Sequence, residues 1–353
     1  AQRAHGLIDL LSVNYDSGPD TAFTVQELCT LFELSRQSPQ LHATSDWQAL
    51  LGKLEHFVRR AIPGIREGGF HTPNHRWVIV SALLQAKAVF PDLLVEPAVD
   101  EYLAEGFDID DEGFFIERSI GVYDAVNDRS LLMIGEFGNR SDAFDAVARN
   151  LRLDLHLIHA DATAETGISR RQDYGTRQVP LGLAHCFLLS NHQKNDDQFA
   201  QAAQRLWACG EKEAQALNWL VYALLKCGDP TQAEVTLPSS FTRYFPTNGL
   251  WRLRREDLSV SVFRDASRLL TCVFGQAELS SIKISQTYFG HRTGHFIAET
   301  LTEENGVVTL HSEGRSNPRR PGYELPLNRP VPPEAWYSTM AERELRHLPH
   351  PIS

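Results

Sequence analysis

The chain predicts a multidomain α + β protein, with helical hairpins over 1–237 and an antiparallel β domain over 238–353. Three observations carry this. Helical periodicity recurs from Asp20 to Cys227 in segments joined by short connections rich in Gly, Pro or Asp, with no strand pattern between them. Near Pro238 the period changes to the alternation of short strands. The 353-residue length allows two sizeable cores, and 42% hydrophobic with 22% charged residues is ordinary for a folded globular chain.

Residues 1–18 end in Tyr15, Asp16, Ser17 and Gly18 before Pro19, which is loop chemistry. Asp20–Arg36 places Phe23, Val25, Leu28, Leu31, Phe32 and Leu34 at helical spacing. Ser45–Gln48 is a capping-box pattern opening a helix expected to end near Pro63 and Gly64. Further helices are expected at 73–90, 95–106, 119–137, 140–158, 180–192, 195–209 and 212–227. Such hairpins either stack as a curved solenoid or close into a toroid, and the lack of a repeating consensus weighs against the solenoid. In the second part Leu250–Arg254, Leu258–Phe263, Leu269–Phe274, Ser281–Ser285 and Val307–His311 read as strands, consistent with a sandwich. The tail from Arg315 is rich in Pro and Arg and is expected to be partly extended.

Two helix starts stand out. Thr72 is a good N-cap and Pro73 suits the first helical position, where no backbone donor is needed, so Asn74 and His75 lie in the first turn. From Trp77 to Phe90 the residues are apolar on nearly every face, the mark of a helix buried all round. Asn74 and His75 therefore either satisfy loop and backbone groups or face a ligand at the mouth of a buried helix. At the second start Ser119 is the expected N-cap, Tyr123 lies about one turn in, and Asn127 follows four residues later on the same face. Alone, Tyr123 reads as a core aromatic whose hydroxyl finds a partner.

Asn74 and His75 at one helix start, followed by the Glu117-Arg118-Ser119 segment and Tyr123, resemble the toroid domain of the heparinase II/III and alginate lyase superfamily. The resemblance runs from about Asp20 to Tyr323, and Ser169–Asp173 resembles a segment of its uncharacterised members. It implies an incomplete (α/α) toroid followed by an antiparallel β-sandwich that relatives extend further. It implies a polysaccharide lyase acting on an anionic, uronate-containing glycan by β-elimination, without a redox cofactor. Such an enzyme neutralises the uronate carboxylate, removes the C5 proton and protonates the departing C4 oxygen. By resemblance Asn74 and His75 hold the carboxylate, His75 is also a candidate base, and Tyr123 is the acid or serves as both base and acid.

Glu117 and Arg118 either orient Tyr123 or the sugar, or form a local ion pair. Arg170, Arg171 and Gln172 are the strongest basic stretch in an acidic chain and are suited to a substrate carboxylate or sulfate; Tyr174 adds a second phenol. Asn127 joins this substrate-binding set. Relatives place a His or Tyr from the β domain over the toroid mouth, for which Tyr288, His291 and His295 are the candidates. His156 and His159 have a spacing open to two metal ligands, but no third ligand is nearby in sequence and structural histidines fit better. Asp108–Gly113 begins like a calcium loop, yet Ser119 stands where the closing Glu belongs. No metal site is therefore assigned.

The net charge of −11 argues against a nucleic-acid or membrane-surface partner and requires any polyanion cleft to be locally basic. The five cysteines lack C-x-x-C spacing and read as buried thiols, which leans towards a cytoplasmic setting, or a periplasmic one if a leader has been removed before Ala1. The sequence sets no oligomeric state. Two other functions fit less closely: a toroid glycoside hydrolase using Glu117, Asp124 or Asp128, and a non-catalytic saccharide-binding protein.

Overall fold

Ser17 and Pro19 set the start of the helical body. A computed structural model describes residues 2–10, 13–210, 217–228, 237–288 and 291–312, with 322–323, 332, 334 and 345–346. The expected helix start at 212–216 and most of the tail from Arg315 lie outside the described residues. Where a loop was expected, Ile8–Leu10 (β1) and Asn14–Ser17 (β2) form an antiparallel hairpin. The Ser17 hydroxyl then accepts the Asp20 N–H at 3.3 Å, so α1 (Gly18–Gln37) starts slightly earlier than the apolar pattern suggests.

After the short α2 (Pro39–His42), α3 (Ser45–Glu67) runs through Pro63 and Gly64 instead of ending there. A Cβ on Gly64 would fall 2.7 Å from the Leu7 side chain, so this glycine permits a close approach and does not terminate the helix. There follow α4 (Pro73–Val89), α5 (Glu96–Leu103), α6 (Tyr123–Phe137), α7 (Ser141–Leu157), α8 (Gly182–Lys194), α9 (Asp197–Cys209) and α10 (Leu217–Cys227). None of the described helices is long and apolar enough to cross a membrane.

As its composition requires, α4 is enclosed from Trp77 to Leu83. It packs on α1 and α6; α6 packs on α8, α8 on α10, and α10 returns to α1. Outside this succession, α3 lies on α1, α7 on α6 and α8, and α9 on α8.

The sheet begins earlier than the sequence pattern indicates, with Ser240–Phe245 (β3), and continues through Leu250–Arg255 (β4), Leu258–Phe263 (β5), Leu270–Phe274 (β6) and Ala277–Leu279 (β7). The five are antiparallel and neighbour one another in chain order. A regular strand over Ser281–Ser285 does not form: Ser281 takes a left-handed backbone (φ 58°), the Ile282 and Ile284 carbonyls accept only single bonds from the Leu269 and Phe296 N–H groups, and the strand begins with Ser285–Tyr288 (β8).

The chain divides into two compact units, one comprising 1–262 with 270–281, the other 263–269 with 282–353. The second holds antiparallel hairpins of β8 with His291–His295 (β9) and of Thr300–Glu304 (β10) with Val307–His311 (β11). The molecule is thus a mixed fold of ten described helices and a five-stranded antiparallel sheet.

In the first unit the sheet is fastened to the end of α7 by Arg252, which is wholly buried. Its Nε donates to the His156 carbonyl (2.9 Å), Nη1 to the Ser261 hydroxyl (2.8 Å), and Nη2 to the Leu157 carbonyl (3.3 Å) and His159 Nδ1 (3.2 Å). Carbonyls at a helix C-terminus favour a cation, and Glu165 at 3.5 Å balances the charge. His156 and His159 therefore belong to a joint between helix and sheet.

Candidate active site

Tyr123 is the first residue of α6, and its position is set by the turn before it. Ser119 is not the N-cap, since the helix begins four residues later, but its hydroxyl accepts the Tyr123 N–H at 3.2 Å. Arg118 holds a left-handed backbone (φ 52°) that reverses the chain between Glu117 and this turn. The α4 start falls where expected, with Asn74 and His75 in the first turn after Pro73, but the Thr72 hydroxyl makes no capping hydrogen bond. The third piece, the loop 169–173, is held to Glu117 by the Arg170 N–H donating to the Glu117 carbonyl (3.0 Å).

These pieces meet around Glu117, which is 3% exposed. Asn74 Nδ2 donates to its Oε1 at 2.7 Å, and Arg171 Nε approaches the same oxygen at 3.5 Å. The Arg171 guanidinium lies 4.3 Å from the centroid of the Tyr123 ring, a cation–π contact. Gln172 Nε2 donates to the Tyr123 hydroxyl at 2.7 Å. His75 sits beside the edge of Phe23 (ring centroids 6.2 Å), and the His71 N–H donates to its Nδ1 at 3.3 Å.

Burial lowers the His75 pKa to about 4; Asp20 opposes the shift, and His71 and Arg171 add to it. The imidazole is therefore neutral at neutral pH and able to accept a proton. Burial raises the Glu117 carboxyl above its ordinary range, against the pull of Asn74, Arg171 and Asn127. Behind it, burial with Asp173 and Glu117 pushes Asp124 up to about 7, and burial with Asp124 also raises Asp128 well above the ordinary carboxylate range. Asn74 Oδ1, Glu117 Oε2, Asn127 Oδ1 and both Asp128 oxygens are buried with no hydrogen-bond partner among the described residues.

Asn74, Glu117, Tyr123, Asn127, Arg171 and Gln172 thus form one cluster, and His75 borders it, within the electrostatic reach of Arg171. Within it Asn74 is wholly buried and directs its amide at Glu117, so in this state it acts on that carboxyl and not on the surface. Three residues serve otherwise. Arg118 reaches the Asn248 carbonyl (3.4 Å) in the turn between β3 and β4. Arg170 is exposed and joins through its backbone. Tyr174 closes the loop by donating its N–H to the Arg171 carbonyl (3.1 Å). His295 is exposed in the second unit, and the side chains of Tyr288 and His291 lie outside the described residues.

Grooves of about 460 and 450 Å³ open elsewhere in the first unit, one beside Arg149, Arg152 and Lys194, the other beside Gln201 and Arg205. Neither is lined by a residue of the cluster. Sequence reasoning noted Asp173 only as the end of a run, whereas its carboxyl group joins the loop to the turn before α6. No sequence signal marks it, because the partners that tie it to that turn lie 52 and 54 residues away, and only Ser169 is near it in the chain. A scan against protein-family models and a search among curated proteins return no match.

Proposed function

We propose that the chain is a carbon–oxygen lyase that cleaves a uronate-containing glycan by β-elimination on an incomplete (α/α) toroid, with the following strands as its β-sandwich part. The return of α10 to α1 after α4, α6 and α8 supports an inner ring, with α3, α7 and α9 outside it. The observation that carries the activity is the treatment of Tyr123: a guanidinium over its ring and an amide on its hydroxyl, with a neutral imidazole at the border of the cluster.

In this reading Arg171 and Gln172 neutralise the carboxylate of the bound uronate, with Glu117 and Asn74 fixing the guanidinium from behind. Charge that develops on the carboxylate as C5 loses its proton is then met by preorganised donors. His75 takes the C5 proton on Nδ1, giving up the hydrogen bond that this nitrogen accepts from the His71 N–H. The electron pair left at C5 forms the C4–C5 double bond, the C4–O bond breaks, and Tyr123 gives its proton to the departing oxygen. No electrons pass to an acceptor, so no redox cofactor is needed. A glycoside hydrolase would need two carboxyls facing one sugar, but Asp124 and Asp128 are 1% and 0% exposed.

The test is ultraviolet absorbance of the purified protein with a panel of uronate glycans, beside Tyr123→Phe. The conjugated unsaturated-uronate band should grow, and loss of the phenol should slow it by about 10²- to 10⁴-fold. New reducing ends without the band would replace the lyase with a hydrolase. Neither signal, with glycan binding retained, would leave a saccharide-binding protein.

A further inference from the structure

Tyr123, Arg171 and Gln172 come from segments far apart in sequence, yet the proposed chemistry needs them in one arrangement. Tyr123 stands at the first position of α6, where the backbone N–H has no partner inside the helix. Arg171 and Gln172 sit on a loop with no regular structure to fix them. Asp173, only 3% exposed, lies between the two.

Both oxygens of its carboxyl are used. The Ser119 hydroxyl donates to Oδ1 at 2.9 Å, the Ser169 hydroxyl donates to the same oxygen, and the Gly121 N–H donates to Oδ2 at 3.1 Å. The two hydroxyls are themselves acceptors: Ser119 Oγ takes the Tyr123 N–H at 3.2 Å, and Ser169 Oγ takes the Arg171 N–H at 3.1 Å. An unbroken path of hydrogen bonds thus runs from the Tyr123 backbone through Ser119, Asp173 and Ser169 to the Arg171 backbone. Gly121 fits the same contact, since a Cβ there would fall 2.7 Å from Asp173 Oδ2. Gln178 adds a parallel tie, donating to the Gly121 carbonyl at 3.0 Å.

We propose that Asp173 is a positioning residue, whose carboxyl group locks the loop carrying Arg171 and Gln172 to the turn that presents Tyr123. This rests on the reading of Tyr123 as acid or base. Asp173 touches neither the Tyr123 ring nor the Arg171 guanidinium in the contacts described, and it acts through the two serines and Gly121. Charged or partly charged hydrogen bonds of this kind are stronger than neutral ones, and a site misplaced by about 1 Å can lose on the order of 10²-fold in rate.

The experiment is Asp173→Asn, followed by turnover and by nuclear magnetic resonance of the Arg171 δ-methylene protons. The Tyr123 ring, 4.3 Å from the guanidinium carbon, should displace these signals upfield, and their loss in Arg171→Lys identifies them. The expected result is a folded variant in which the upfield displacement disappears and kcat falls by about tenfold to a hundredfold, with KM changed much less. A folded Asp173→Asn protein that keeps the displaced signals overturns the proposal. If Asp173→Asn loses its cooperative melting, Ser169→Ala decides in its place: the displaced signals should weaken, and their persistence overturns the proposal. Should the wild-type protein cleave no uronate glycan, the lyase reading fails while the resonance still decides the role of Asp173.

Discussion

Two buried charged clusters, both within the first compact unit, are built to different rules. At the joint between α7 and the sheet, every nitrogen of Arg252 donates a hydrogen bond, and Glu165 accepts from the Ser261 hydroxyl (2.5 Å) and the Gly167 N–H (2.8 Å). Around Glu117 the opposite holds: oxygens of Asn74, Glu117, Asp124, Asn127 and Asp128 are buried without partners among the described residues. A buried polar group with no partner at all costs about 1–3 kcal/mol, so these oxygens call for partners that the surrounding side chains do not supply. Saturation marks the first cluster as a joint; under-satisfaction marks the second as a site whose carboxyls are pushed above their ordinary range by burial and whose oxygens are left for another partner.

The comparison breaks most directly at Arg252. Arg252→Ala leaves Glu165 buried beside Ser261 without its cation, and such half-removed pairs cost about 3–5 kcal/mol. Urea unfolding should show that loss, and a change below about 1 kcal/mol would mean that the joint is not the structural element its saturation implies. Within the comparison, Asp124→Asn should act in the opposite sense. The Asp124 pKa is raised from 3.8 to about 7, so the folded state keeps a proton that the unfolded chain releases. Its contribution is complete below about pH 4 and is lost as the pH rises through about 7. The variant should have a flatter stability profile from pH 4 to 8 and be more stable than wild type at pH 8, by on the order of 2 kcal/mol. Parallel profiles for the two proteins would refute the buried protonated acid.

The parts of the molecule that the sequence discloses are those fixed by near neighbours. Pro73 marks the start of α4 correctly because a first-turn proline acts locally, and the apolar run behind it leaves no exposed face; Thr72 holds the cap position, but its hydroxyl makes no capping hydrogen bond. Where a residue answers to a distant partner, the same rules mislead. Gly64 looks like a helix stop and is a contact with Leu7. Ser119 looks like an N-cap and instead divides its hydroxyl between Tyr123 and Asp173. Strand β3 carries Phe241 and Tyr244 among exposed polar residues, so its alternation is weak until pairing with β4 supplies the register. The site follows the same division: its residue types at the two helix starts are legible, while the grouping of Arg171 with Glu117 and Tyr123 depends on the fold.

His75 offers the finest distinction between the two clusters, because it borders the under-satisfied one yet still meets solvent. Burial holds its pKa near 4 instead of 6.5, helped by His71 and Arg171 and opposed by Asp20. The folded state thus resists a proton that the unfolded state binds, so the stability linked to His75 is present above about pH 6.5 and is lost as the pH falls through about 4. Because the ring is partly exposed, solvent screening should hold this to on the order of 1 kcal/mol or less, smaller than the effect at Asp124. Imidazole resonances followed by nuclear magnetic resonance, with His75 assigned through His75→Gln, should show one histidine that stays neutral well below pH 6. If the chain is a lyase with His75 as base, the acidic limb of kcat/KM should follow the same low value. A limb near 6.5 with the resonance near 4 would separate the two and move the base to Tyr123; a resonance near 6.5 would show that the surroundings of His75 are wetter than its place beside Phe23 implies.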